Sequence, residues 1–150
     1  MKKEEVGFIA KFFDKAYETK TIVELTQAPV TAISGISVAD AADLKKAFGI
    51  VTVEDLAKNL YVRLAQGINF FSAATGVIVD KKFNPEEYAK LAEKPVSAIS
   101  GISEKDAALL KKAFGINTIK DLAENKYVTI AQATVSLATL LIILRAAYSA

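Results

Sequence analysis

Residues 29–66 read PVTAISGISVADAADLKKAFGIVTVEDLAKNLYVRLAQ, and residues 95–132 read PVSAISGISEKDAALLKKAFGINTIKDLAENKYVTIAQ. An offset of 66 aligns them without a gap, with 27 of 38 positions identical. A duplication this close requires both copies to be the same supersecondary unit, so every local assignment must hold twice.

Each copy carries its own punctuation. Pro29 and Pro95 open a short helix, V-[TS]-A-I-S, that closes at Gly35 or Gly101. Ser37 and Ser103 then precede a helix with Asp40 or Asp106 at its third position, an acidic form of the capping box. Ala41, Leu44, Ala47 and Phe48 line its buried side, as do Ala107, Leu110, Ala113 and Phe114. Gly49 and Gly115 suit a left-handed helix end. Thr52–Asp55 and Thr118–Asp121 start a third helix ending near Asn59 or Asn125. A fourth opens with Y-V in both copies.

The fourth helices diverge. The first, YVRLAQGINFFSAA, is interrupted by Gly67 and expected to end near Gly76. The second has eighteen uncharged residues, Tyr127–Leu144, which approaches the ~20 that span a bilayer. Five of them are polar (Thr129, Gln132, Thr134, Ser136, Thr139) and no basic cluster flanks the stretch, so it reads as a core helix, buried by its own repeats or by a partner. Ahead of the repeats, Phe8, Ile9, Phe12, Phe13, Ala16 and Tyr17 mark an amphipathic helix over 4–18. Thr21–Ala28 reads as a shorter one, and Asn84-Pro85-Glu86-Glu87 as the N-cap and first turn of its counterpart. The expected organisation is an N-terminal helix at 1–18, units at 19–76 and 84–150, and a linker at 77–83.

Composition narrows the function classes. With no cysteine there is no disulfide or thiolate chemistry, and with no histidine the commonest general base and metal ligand is missing. Net charge is +2 without a basic block, and the start, MKKEEVGF, does not read as a signal peptide, so a cytoplasmic location is expected. Apolar residues make up 52% and mean hydropathy is +0.28, which suggests a face buried against another subunit. Asp40, Asp55, Asp106 and Asp121 are explained as helix caps. No catalytic residue, metal site, cofactor or small-molecule substrate is indicated.

The stretch I-S-G-I-S-x-x-D-A-A-x-L-K-K-A-F-G-I-x-T resembles the helix-hairpin-helix family, whose pattern is h-x-G-h-G-x-x-x-A-x-x-L, often followed by G-I-x-T-h-x-D-L. The serine in the hairpin also resembles the C-terminal domain of the RNA polymerase alpha subunit. The resemblance implies non-sequence-specific DNA binding, with hairpin N–H groups and a helix N-terminus holding a phosphate. The residues it points to are Gly35, Ile36, Ser37, Lys45 and Lys46 in the first copy, and Gly101, Ile102, Ser103, Lys105, Lys111 and Lys112 in the second. The family's second glycine is Ser37 or Ser103 here, and a carboxylate, Asp40 or Asp106, stands at the helix start. The position that carries an arginine in the polymerase domain holds Ala39 in copy one and Lys105 in copy two, so the second hairpin is the better candidate.

The expected fold is all-α: two pseudo-symmetric helix-hairpin-helix-containing units sharing one core, plus the N-terminal helix. The expected function is non-enzymatic assembly, a homo-oligomer or a complex with a protein partner, through apolar helix surface. The interface candidates are Phe70, Phe71, Tyr127, Ile130, Val135, Leu137, Leu140, Leu141 and Leu144. Nucleic-acid binding is the alternative, and a membrane role is not favoured.

Overall fold

The computed structural model describes residues 3–149, with side chains from residue 5; residues 1, 2 and 150 of the expected terminal units lie outside the described residues. The chain is all-helical, with no strand among the described residues. In order, the helices are α1 (Lys3–Phe12), α2 (Ile22–Leu25), α3 (Val38–Phe48), α4 (Val53–Lys58), α5 (Leu60–Ile78), α6 (Pro85–Ala89), α7 (Glu104–Phe114), α8 (Ile119–Ala123) and α9 (Lys126–Ser149). Short 3-10 turns fill most of the joints.

The caps stand where the sequence puts them. Ser37 Oγ accepts from Asp40 N at 3.0 Å while the Asp40 carboxylate accepts from Ser37 N at 3.1 Å; Ser103 and Asp106 repeat this at 3.0 and 3.2 Å. Thr52 and Thr118 do the same with Asp55 and Asp121. Each such box satisfies two backbone donors that a helix start leaves open. Gly49 and Gly115 end α3 and α7 in the left-handed conformation, with φ of 69° and 68°.

Several expected bounds shift. The N-terminal helix stops at Phe12 rather than reaching 18, because Phe13 leaves it to form a bridge with Ile33. Asp14 N donates to Ala32 O and Ser34 N to Phe12 O, so the chain is stitched to the turn at Val30–Ala32. The helix expected over Thr21–Ala28 is the single turn α2. Asn84 does precede α6, but with φ 51° and no side-chain cap, so its contribution is the turn rather than a hydrogen bond. Helix α5 runs through Gly67 and Gly76 to Ile78, because its packed neighbours outweigh about 1 kcal/mol per interior glycine. Asn59 and Asn125 are less the ends of the third helices than the caps of the fourth: each Oδ1 accepts from the next two available N–H groups, at 2.9 and 3.2 Å.

Packing crosses between the halves. Helix α3 lies on α7, α4 on α9, and α5 on α8, while α2 adds to α9 and α6 to α5. The buried core is continuous from Ile9 and Phe13 through Leu44, Ile50 and Leu56 to Leu110, Ile116, Leu122 and Val128. Helices α5 and α9 touch through Gln66 and Gln132, yet each packs chiefly on the short third helix of the other half.

Candidate functional site

Two surfaces answer to the expected sites: the hairpins ahead of α3 and α7, and the outer part of α9.

In each hairpin the isoleucine is buried, Ile36 and Ile102 both at 5% exposure, so it anchors the turn from below. The glycines hold φ of 99° and 98°, a region that a residue with a side chain rarely enters. Each glycine also lies beside a tyrosine of the opposite half. Tyr127 Oη donates to Gly35 O at 3.3 Å, and a Cβ at Gly35 would stand 2.6 Å from that oxygen. At Gly101 a Cβ would stand 2.7 Å from Tyr61 Oη. The tyrosine rings are held in turn by Phe114 and Phe48, with ring centres 4.8 Å apart in both pairs. Turn geometry and the tyrosine contact are therefore sufficient reasons for glycine at both places.

The hairpin's polar groups are largely spoken for. The N–H groups of Ser37, Asp40, Ser103 and Asp106 all donate within their own capping boxes. A carboxylate at each helix start also opposes an incoming anion. Lys45, Lys46, Lys105 and Lys111 are exposed. Lys112 is engaged instead: its Nζ lies 3.8 Å from Asp43 Oδ2 across the α3–α7 contact. That oxygen is buried and accepts no hydrogen bond, so Asp43 is an ion-pair partner held in an apolar seam. A cleft of about 240 Å³ beside the second hairpin is lined by Glu104 as well as Lys111, which leaves its charge mixed.

Helix α9 divides at its middle. Val128, Ala131, Thr134 and Ala138 are buried, and the expected interface residues Tyr127, Ile130, Val135 and Leu141 pack against this chain's own core. Phe71 is likewise used internally, 5.8 Å from the Tyr88 ring. Beyond Ala138 the helix leaves the body: Leu140 is 52% exposed, Ile142 54%, Ile143 58% and Leu144 40%, and Leu137 and Tyr148 are also exposed. The reading of this helix as buried on most sides thus holds for its first half only. The reason is length, since α9 runs to Ser149 whereas the helix it packs on, α4, has one and a half turns. On α5, Phe70, Val77 and Ile78 are exposed. By length and composition alone, Ile119–Ser149 is one stretch among the described residues apolar enough to cross a membrane.

Sequence reasoning missed the tyrosine–glycine crossing and Asp43. The first has no local signal, because residues 35 and 127 meet only in the folded chain. The second had one: Asp43 faces Leu109 at the aligned position, a charge-for-apolar exchange on a helix otherwise nearly identical.

Among the described residues no group of three or more acidic side chains is placed to hold a metal. Compared with protein families, with curated proteins and with solved structures, the chain matches none.

Proposed function

We propose that this chain is a non-enzymatic assembly protein, built of two pseudo-symmetric helix-hairpin-helix-like units on one core, whose α9 offers its outer half to further copies or a protein partner. The observation that carries this reading is the run Leu140, Ile142, Ile143 and Leu144, each at least 40% exposed on a helix that is apolar on every side there. Exposed apolar surface of this kind marks an interaction site, and a helix that is apolar all round is stable in water only where something surrounds it. The hairpins serve this reading as structural units, with their tyrosines and caps tying one half to the other. Light scattering over a concentration series tests it: the account expects species heavier than the 16.1 kDa monomer at high micromolar concentration. A strict monomer throughout would remove it.

A second reading, weak non-specific DNA binding at the second hairpin, is supported by the exposed Lys105 and Lys111 on α7. Few lysines are available to it, so its log–log salt slope should be shallower than about −5, at about −0.9 per phosphate neutralised. Replacing Ser103→Gly together with Asp106→Thr opens the helix start and removes one negative charge. Titration against duplex DNA should then show tighter binding than wild type; equal affinity in the folded double variant ends this reading.

A further inference from the structure

We infer that the seam between the two halves is also an intermolecular interface: a second copy of this chain can supply the half that closes it, giving an exchanged dimer. This interface is the buried seam and not the exposed end of α9, so the inference stands apart from the assembly reading above.

Three observations carry it. First, each half finds its principal packing in the other: α3 on α7, α4 on α9, α5 on α8. None of these contacts requires the two halves to belong to one chain. Second, the polar contacts across the seam are reciprocal at the offset of the repeat. Gln66 Nε2 donates to Gln132 Oε1 at 2.8 Å and Gln132 Nε2 to Gln66 Oε1 at 2.9 Å. Gln66 also reaches Ala123 O at 3.4 Å, and Gln132 reaches Ala57 O at 3.3 Å. A half arriving from another copy meets the same donors and acceptors. Third, the halves are joined by a short reversal after Ile78: Val79, Asp80, the 3-10 turn Lys81–Phe83, and Asn84. Asn84 has φ 51° and is the one non-glycine residue with positive φ among the described residues. A left-handed residue stores strain that an opened hinge releases. Exchange of identical elements through such a hinge is a low-cost route to a dimer. Its equilibrium then turns on concentration, because the buried contacts are unchanged and two chains become one particle.

The test uses the full chain, which contains no cysteine of its own. Asn69 on α5 and Glu124 after α8 face each other across the seam at the surface, Nδ2 to Oε1 3.5 Å. Asn69→Cys with Glu124→Cys therefore places one thiol on each half without touching the glutamine pair. The protein is unfolded, refolded at low and at high concentration, bridged with a short bismaleimide and weighed under denaturing conditions. Leu140→Glu and Ile143→Glu are included so that association through α9 does not contribute. The inference expects monomer mass with an internal bridge after dilute refolding, and a covalent dimer whose share rises with refolding concentration. Monomer mass at every concentration overturns it, and so do native dimers in which every bridge stays within one chain. Deleting Asp80, Lys81 and Lys82 should favour exchange at both concentrations. If that variant folds as a monomer, the inference is also overturned; if it does not fold, the bridging result at native hinge length decides.

Discussion

The hairpins and the fourth helices come from the same duplication, yet the structure treats them differently. Around Gly35 and Gly101 the two copies agree to 1° in φ, and the capping distances at Ser37 and Ser103 agree within 0.1 Å. Helices α5 and α9 share their first turns and then part. The former ends at Ile78 under α6, with Ser72 bonded to Tyr88 O and Ala92 N, while the latter continues to Ser149 with its apolar residues uncovered. The difference teaches where constraint lies in this molecule. The hairpins are fixed by contacts to the opposite half and do not vary, whereas the ends of the long helices meet nothing in the fold that fixes them and have diverged.

The largest expected effect is at the hairpin glycines. Gly35→Ala and Gly101→Ala each place a Cβ within 2.7 Å of a tyrosine oxygen, at a φ near 99° or 98°. Backbone strain of about 1–3 kcal/mol and displacement of a tyrosine stacked on its phenylalanine should both appear as lost stability in urea melts. The comparison predicts similar losses at the two sites; a large loss at one and none at the other would show that the halves are not held alike.

Next comes the glutamine pair. Gln66→Leu alone leaves Gln132 short of its partner in a partly buried seam, at a cost of about 1–3 kcal/mol. The double variant Gln66→Leu with Gln132→Leu should lose less than the sum of the singles, since neither side then strands the other. Additive losses in denaturant titrations would mean that the two side chains do not act as a pair.

Asp43 sharpens the contrast from the other direction. Its carboxylate sits at 7% exposure with a lysine at 3.8 Å and no hydrogen bond, where the aligned residue is Leu109. Replacing a poorly satisfied buried ion with an apolar side chain is often neutral or stabilising by about 1–4 kcal/mol. Asp43→Leu should thus hold or raise Tm, and Leu109→Asp should lower it. A marked loss of Tm in Asp43→Leu would show that the ion pair is needed.

The smallest effect is acid sensitivity. Asp55 is held below its ordinary value of 3.8 first by the Thr52 N–H and also by that of Val51. Asp121 is lowered in the same way by Thr118 and then Asn117. Because the folded value is the lower one, the unfolded chain binds more protons in acid. The stability these groups contribute is complete above 3.8 and is lost as pH falls through the folded values. Thermal melts from pH 6 to pH 3 should decline less in Asp55→Asn with Asp121→Asn than in wild type.

How much of this was legible in the sequence follows the range of each interaction. Caps reach three residues, so Ser37–Asp40 and Thr118–Asp121 could be read directly, as could the left-handed Gly49 and Gly115. Asn59 and Asn125 as caps of the fourth helices carried a local signal, an asparagine just ahead of an apolar run, that the Y-V opening obscured. The end of α1 was not readable, because Phe13 is apolar at helical spacing and leaves the helix only to meet Ile33. The tyrosine–glycine crossing was hidden for the same reason: it exists only once the halves are paired. Burial along α9 was half readable, since an uncharged run reports what must be covered and not where the cover stops.

The central claim is that the outer half of α9 is the assembly surface and that the exposed end of α5 is not. It is tested most directly by light scattering on two matched variants at the same high micromolar concentration: Leu140→Glu with Ile143→Glu, and Phe70→Glu with Val77→Glu, four residues that are all exposed. The account predicts that wild type and the α5 variant remain associated while the α9 variant runs as a folded 16.1 kDa monomer. An α9 variant that stays associated, or an α5 variant that alone dissociates, would contradict it.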